Sequence, residues 1–279
     1  MAYKSILVHV DESDRSVTRL DVAIELAKSF DAHLAGLALV PIPKQPVFLE
    51  VQYGPELAAV RERATREMLD PLKARFTERA RRAGLESFEW REASGDVIAH
   101  ASLHARYADL VVLGQVDPDD ARTQVVPGFL EELVLGAGRP LLIVPYAGTF
   151  TRIGERALVA WNASCESTRA VTDALPLLAR ASEVTVLTID PDTTVAGRGG
   201  VPGADIALFL ARHGVKAEAA RTASDGVSVG NVILSRAADL GADLIVMGAW
   251  GHSRVRELVM GGATRTLLGE MTVPVLMSH

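Results

Sequence analysis

The sequence predicts an α/β fold made of two copies of one parallel-sheet unit. Three observations support this prediction. Short apolar runs rich in Val, Ile and Leu are continuous rather than alternating, longer segments of helical period separate them, and the chain repeats itself. Continuous hydrophobicity is typical of strands covered by helices on both faces, as in parallel sheets. A chain of 279 residues has room for two such units.

The internal repeat is clearest at two pairs of segments. The run ADLVVLG at 108–114 matches ADLIVMG at 242–248, and RPLLIV at 139–144 matches VPVLMS at 273–278. Both pairs have the same offset of 134 residues. A fixed offset between similar segments indicates a duplicated structural unit.

The opening of the chain also has a partner in the second copy. The run ILVHVDES at 6–13 resembles ALVAWNAS at 157–164, at an offset of 151 residues, so the second copy is the shorter one. Glycines and threonines interrupt the periodic pattern between 147 and 155. We therefore expect two domains, 1–148 and 155–279.

Each copy is expected to hold five strands and four helices in alternation, because each apolar run is followed by a segment of helical period. In the first copy the predicted strands lie near 4–10, 34–40, 86–91, 109–114 and 140–145. Its predicted helices lie near 14–30, 55–83, 97–106 and 128–136. In the second copy the predicted strands lie near 156–161, 183–189, 216–220, 243–248 and 273–277. Its predicted helices lie near 165–180, 203–213, 230–239 and 262–269.

Composition and charge exclude several classes of protein. The chain has 35 acidic and 29 basic residues, a net charge of -6, which disfavours non-specific binding to nucleic acid or an anionic membrane. The longest stretches without a charged residue, 32–43 and 140–151, are too short to span a bilayer. Because the N-terminus lacks the features of a signal peptide, we expect a cytoplasmic protein. A single cysteine, Cys165, excludes an internal disulfide and a cysteine-based zinc site.

A glycine-rich loop follows the fourth predicted strand of the second copy. Gly248 and Gly251 allow a sharp turn and a close approach of the backbone to a ligand. Gly261 and Gly262 open the next helix, where unpaired N–H groups and the helix dipole attract anions. The loop thus has the outline of a phosphate-binding site, although glycines that only serve turns are an equal alternative.

The pattern Gly-x2-Gly-x9-Gly, placed after ADLIVMG and before VPVL, resembles the nucleotide loop of the universal stress protein family. The resemblance covers nearly the whole chain, as two tandem family domains. It implies Rossmann-like (adenine nucleotide alpha hydrolase-like) domains, each a five-stranded parallel sheet of order 3-2-1-4-5 with helices on both faces. It also implies pairing through the last strand, in a homodimer or an intrachain pseudo-dimer, and ATP, with or without Mg2+, in the cleft of some members.

Carried onto this sequence, the resemblance assigns a nucleotide site to the second copy. Two positions depart from the family pattern: Gly262 replaces a Ser or Thr, and Asn162 replaces an acidic residue at the end of the first strand. Thr264 offers a substitute hydroxyl group. The site residues implied are Asn162, Ile189, Gly248, Gly251, His252, Arg254, Gly261, Gly262, Ala263 and Thr264.

The first copy has a degenerate loop. Asp11 keeps the carboxylate at the end of the first strand, but Gly114 is followed by no second glycine at the family spacing. Asp117, Asp119 and Asp120 occupy the loop instead, and three carboxylates repel a triphosphate. We therefore expect one nucleotide per chain, in the second copy. Gly251→Val should then obstruct the phosphates, whereas the same change at Gln115 should have almost no effect on binding.

These observations favour a universal stress protein that binds ATP in its C-terminal domain and acts as a regulatory or stress-response module read by an unidentified protein partner. Two alternatives stay open: a slow ATPase or nucleotidyl transferase, and a dimerisation scaffold that binds no nucleotide. We assign no catalytic residue and expect at most weak ATP hydrolysis. We also assign no metal site, because His100 and His104 have helical i, i+4 spacing but no visible third ligand.

Overall fold

The computed structural model describes residues 2–42, 47–190, 203–249 and 261–279, with side chains of 47–57 left out of the description. Strands and helices alternate along it as predicted. The strands are β1 Ser5–His9, β2 His33–Pro41, β3 Phe88–Gly95, β4 Leu110–Gly114, β5 Leu141–Val144, β6 Arg156–Ala160, β7 Glu183–Ile189, β8 Ala217–Thr222, β9 Leu244–Gly248 and β10 Val275–Ser278. The helices are α1 Arg15–Phe30, α2 Val47–Arg82, α3 Val97–Ala105, α4 Phe129–Gly136, α5 Cys165–Leu178, α6 Ala204–Arg212, α7 Val229–Asp239 and α8 Gly262–Glu270.

All ten strands form one sheet, in the order β3-β2-β1-β4-β5-β10-β9-β6-β7-β8. Each half therefore has the predicted order 3-2-1-4-5, and its strands are parallel. The two halves join where β5 and β10 pair antiparallel, with Leu142 opposite Leu276. The chain thus forms the intrachain pseudo-dimer, since each half covers the last strand of the other.

Helices cover both faces of the sheet and bury two apolar clusters that run through both halves. One cluster lies under α1, α2, α5 and α6 and includes Phe76 and Leu210. The other lies under α3, α4, α7 and α8 and includes Leu133 and Leu267. This two-sided burial explains the continuous apolar runs of the strands.

The longest helix, α2, begins at Val47 and not near residue 55 as predicted. The sequence from 41 to 58 contains no Ser, Thr, Asp or Asn, the residues that cap helix starts, so no capping residue marks the boundary. Within the described part of the chain, no helix is both long and apolar enough to cross a membrane.

Candidate functional site

An open cleft lies at the carboxyl ends of β6, β7 and β9, where strand order reverses and ligands of α/β folds collect. Its volume is about 470 Å3, within the range of small-molecule sites. Seven predicted site residues line it: Asn162, Ile189, Gly248, Gly261, Gly262, Ala263 and Thr264. The other three, Gly251, His252 and Arg254, lie outside the described residues. The binding role of all ten stays a prediction.

Asn162 stands on one wall of the cleft, just after β6. Its Oδ1 accepts a hydrogen bond from the backbone N–H of Ser164 at 3.2 Å, which tightens the turn into α5. Ser164 in turn caps α5, because its Oγ accepts from the N–H of Ser167 at 3.1 Å. Among the described residues nothing accepts a hydrogen bond from Asn162 Nδ2. Asn162 therefore presents donors to the cleft where an aspartate would present acceptors.

The start of α8 forms the opposite wall. Its N-cap residue is Gly261, and no described side chain caps it. The first N–H groups of a helix have no partner inside the helix, and the helix dipole adds positive potential there. A Cβ built on Gly262 would have no described atom within 4 Å, so no described residue blocks the approach of a ligand to the backbone at this point. The N-terminus of α8 suits a negatively charged group.

Glycine is required at position 248 for packing as well as for the predicted access of a ligand. A Cβ at this position would lie 2.4 Å from the backbone N of Ser167 and 2.5 Å from the carbonyl carbon of Glu166. Only glycine therefore lets the end of β9 pack against the start of α5. This contact fixes the end of β9 beside the start of α5.

One wall of the cleft, formed by the start of α7, was not predicted from the sequence. The start of α7 contributes Ser228, Val229 and Ile233 to the cleft lining. Ser228 caps α7 by accepting from the N–H of Asn231 at 3.2 Å. The sequence did contain a signal for this wall, because Ser228 is a capping residue directly before an apolar helix. Since α7 follows the third strand of its half, it also starts at the carboxyl edge of the sheet. The remaining unassigned lining residues are Ala160, Trp161, Leu187, Met247 and Thr266.

The corresponding cleft of the first half is much smaller, about 180 Å3. The two repeat offsets place His9 at the position of Ala160, Arg19 at that of Ala170, and Phe129 at that of Ala263. The rings of His9 and Phe129 lie 5.7 Å apart. Larger side chains therefore line the smaller cleft of the first half at positions where the second half has alanine.

A buried polar network fixes these side chains in the first half. Arg19, only 4% exposed, donates from Nε to the His9 carbonyl at 2.6 Å and from Nη2 to Asp11 Oδ2 at 2.8 Å. Burial and, to a lesser extent, the charge of Arg19 lower the pKa of His9 to about 4, against the opposing effect of Asp11. Burial raises the pKa of Asp11, but Arg19, His9 and the Ser13 hydroxyl outweigh it and hold that pKa well below its ordinary value. The Asp11 carboxylate is therefore already occupied.

The acidic loop of the first half also differs from the expectation of three repelling carboxylates. Arg122 pairs with Asp120 at 2.8 Å and with Asp14 at 3.2 Å, and it donates to the Glu12 carbonyl at 3.4 Å. This side chain neutralises part of the negative charge and ties the loop to the end of β1. The small volume of this cleft is therefore an obstacle to a ligand in addition to the charge of the loop.

Across the described ranges, no group of three or more His, Cys, Asp or Glu residues is arranged to hold a metal ion, and this covers His100 and His104. Cys165 is exposed at the start of α5.

Comparisons with known proteins agree with this architecture. The family model described as Universal stress protein family matches residues 2–145 and 155–279. A universal stress protein from Archaeoglobus fulgidus DSM 4304 is 17% identical over 98% of this chain and 97% of its own, with a TM-score of 0.73. A putative universal stress protein from Pseudomonas aeruginosa UCBPP-PA14 is 16% identical over 99% and 93%, with a TM-score of 0.57. The comparison with curated proteins gave no match.

Proposed function

Because the chain belongs to the universal stress protein family, we propose that it binds one adenine nucleotide, ATP, in the cleft of its second half. We propose further that it acts as a regulatory or stress-response module in the cytoplasm. The proposal includes domains at 1–148 and 155–279. Nucleotide binding would favour one arrangement of the loop before α8, and a protein partner would respond to that arrangement.

The contrast between the two clefts is the observation that carries this proposal. The second half combines a volume of about 470 Å3 with an α8 N-terminus that no described side chain caps. In the first half, His9, Arg19 and Phe129 line a cleft of only about 180 Å3. A fold with two equivalent clefts therefore offers space for one nucleotide.

The chemistry of the described lining favours binding over turnover. Asn162, Ser228, Thr264 and Thr266 are its polar side chains, and none of its described members is ionisable. These residues can orient a base, a ribose and phosphates by hydrogen bonds, but they supply no general base for attack on phosphate. They also supply no carboxylate to hold Mg2+, so we propose that ATP binds with or without the ion.

The test is to release and identify what co-purifies with the gently isolated protein. We expect an adenine nucleotide by mass spectrometry, at up to one equivalent per chain, and little phosphate release from added ATP. Rapid turnover would favour the ATPase or nucleotidyl transferase alternative. Failure of both co-purification and rebinding of ATP would contradict the proposal and favour the scaffold.

A further inference from the structure

Gln115 joins the first half to the helix that forms the nucleotide cleft. It follows β4, and it is 2% exposed. Its Nε2 donates to the carbonyl of Leu268 at 3.0 Å, and its Oε1 accepts from the N–H of Tyr146 at 3.1 Å. Both ends of the carboxamide are thus used, one within the first half and one across to α8.

The bond to Leu268 falls at an end of α8 that needs a partner. The last four carbonyls of a helix receive no hydrogen bond from a backbone N–H group of the same helix. Leu268 lies in the last turn of the nine-residue α8, and an isolated helix of this length is not stable in water. Gln115 therefore supplies a cap to α8 from the other half of the molecule.

The bridge has no counterpart in the opposite direction. The repeat offset of 134 places Ala249 at the position of Gln115, and alanine has no hydrogen-bonding side chain. The first half therefore supplies a contact to the last turn of α8 that Ala249 does not return. This contact gives a physical reason to expect that a change at Gln115 affects binding.

We propose that Gln115 is a positioning residue for the nucleotide site. By holding the C-terminal end of α8, it keeps the N–H groups at the other end aimed into the cleft. The first half then contributes to nucleotide affinity without binding nucleotide itself. This inference rests on the proposed function for its effect on affinity, but its effect on α8 does not require a nucleotide.

The experiment compares Gln115→Met with Tyr3→Phe in the full chain. Met has a similar length and cannot make either hydrogen bond. Tyr3 is the matched control, because its hydroxyl also bridges the halves, donating to the Asp173 carbonyl at 2.7 Å, but it touches α5 and not α8. The readouts are amide hydrogen exchange without nucleotide and ATP affinity by titration calorimetry.

We expect Gln115→Met to speed exchange of the α8 amides about tenfold and to weaken ATP binding about threefold to tenfold, because it loses the buried hydrogen bond to Leu268. Tyr3→Phe should change neither. In Gln115→Glu, burial raises the carboxyl pKa, and the protonated acid can donate to Leu268 while accepting from Tyr146. Its ATP affinity should therefore recover as pH falls, whereas that of Gln115→Met should not.

Three outcomes separate the possibilities. Unchanged α8 exchange and affinity in Gln115→Met, with ATP bound by the wild type, would overturn the inference and leave the proposed function intact. Equal losses in Tyr3→Phe would also overturn it, since they would show general loosening between the halves. If the wild type binds no ATP, the proposed function fails, and the exchange of α8 alone decides whether Gln115 positions the helix.

Discussion

The filled cleft of the first half suggests how to close the open one. Ala263 lies at the start of α8 and lines the open cleft, while its counterpart Phe129 lines the small one. Ala263→Phe therefore transfers one of the filling side chains to the second half. The new ring has room in a cleft of about 470 Å3, so the protein without nucleotide should stay as stable as the wild type.

The expected cost appears when ATP binds. The ligand must then share the cleft with the added ring, and crowding of this kind costs about 1–3 kcal/mol in well-packed sites. At about 1.4 kcal/mol for each factor of ten, ATP affinity should fall roughly fivefold to hundredfold. Titration calorimetry gives the affinity, and thermal unfolding without nucleotide checks the fold.

Ala263→Ser is the matched control, because it changes the same position and leaves the space open. It should keep the affinity within about twofold of the wild type, since it adds little volume. If Ala263→Phe binds ATP as tightly as the wild type, the cleft described here does not hold the nucleotide and the reasoning is refuted.

The other predictions concern stability. The folded pKa of His9 is about 4, below its ordinary value of 6.5, so unfolded chains bind more protons between these pH values and the free energy of unfolding should fall by on the order of 3 kcal/mol as pH drops from 6.5 to 4. Urea unfolding at several pH values in this range should show that the free energy of unfolding of His9→Ala depends less on pH than that of the wild type. An equal pH dependence in the two proteins would be evidence against a buried neutral His9. A Cβ on Gly230 would lie 2.5 Å from the Thr266 Cβ, so Gly230→Ala should destabilise the protein by about 1–3 kcal/mol. Adding Thr266→Gly should restore part of that loss in thermal unfolding, and no restoration would exclude this contact as the cause. Leu276 is fully buried where β10 pairs with β5, so Leu276→Ala should cost about 2–5 kcal/mol in urea unfolding, and a cost below 1 kcal/mol would contradict tight packing at this junction.

Much of the fold followed from the sequence. The duplicated strands at 108–114 and 242–248 predicted β4 and β9, because a buried parallel strand needs a continuous apolar run. The exposed apolar edges of the last strands predicted their pairing, and β5 and β10 pair within the chain. The start of α2 could not be predicted, since no capping residue marks it.

The ion pairs and the small cleft of the first half were harder to predict from the sequence. The acidic loop suggested repulsion of phosphate, but the structure shows Arg122 paired with Asp120 and the cleft filled from within. His9 and Arg19 fill it only because the fold brings the end of β1 and one side of α1 together. Aligning the repeats would have shown alanine at both equivalent positions, although their contact depends on three-dimensional packing.

The number of nucleotides bound per chain tests the central claim most directly. Titration of the full chain with ATP by isothermal calorimetry, with and without Mg2+, measures it in one experiment. The open second cleft and the filled first cleft predict one site per chain under both conditions. Two sites per chain would contradict the filled cleft of the first half, and no binding would contradict the nucleotide site of the second.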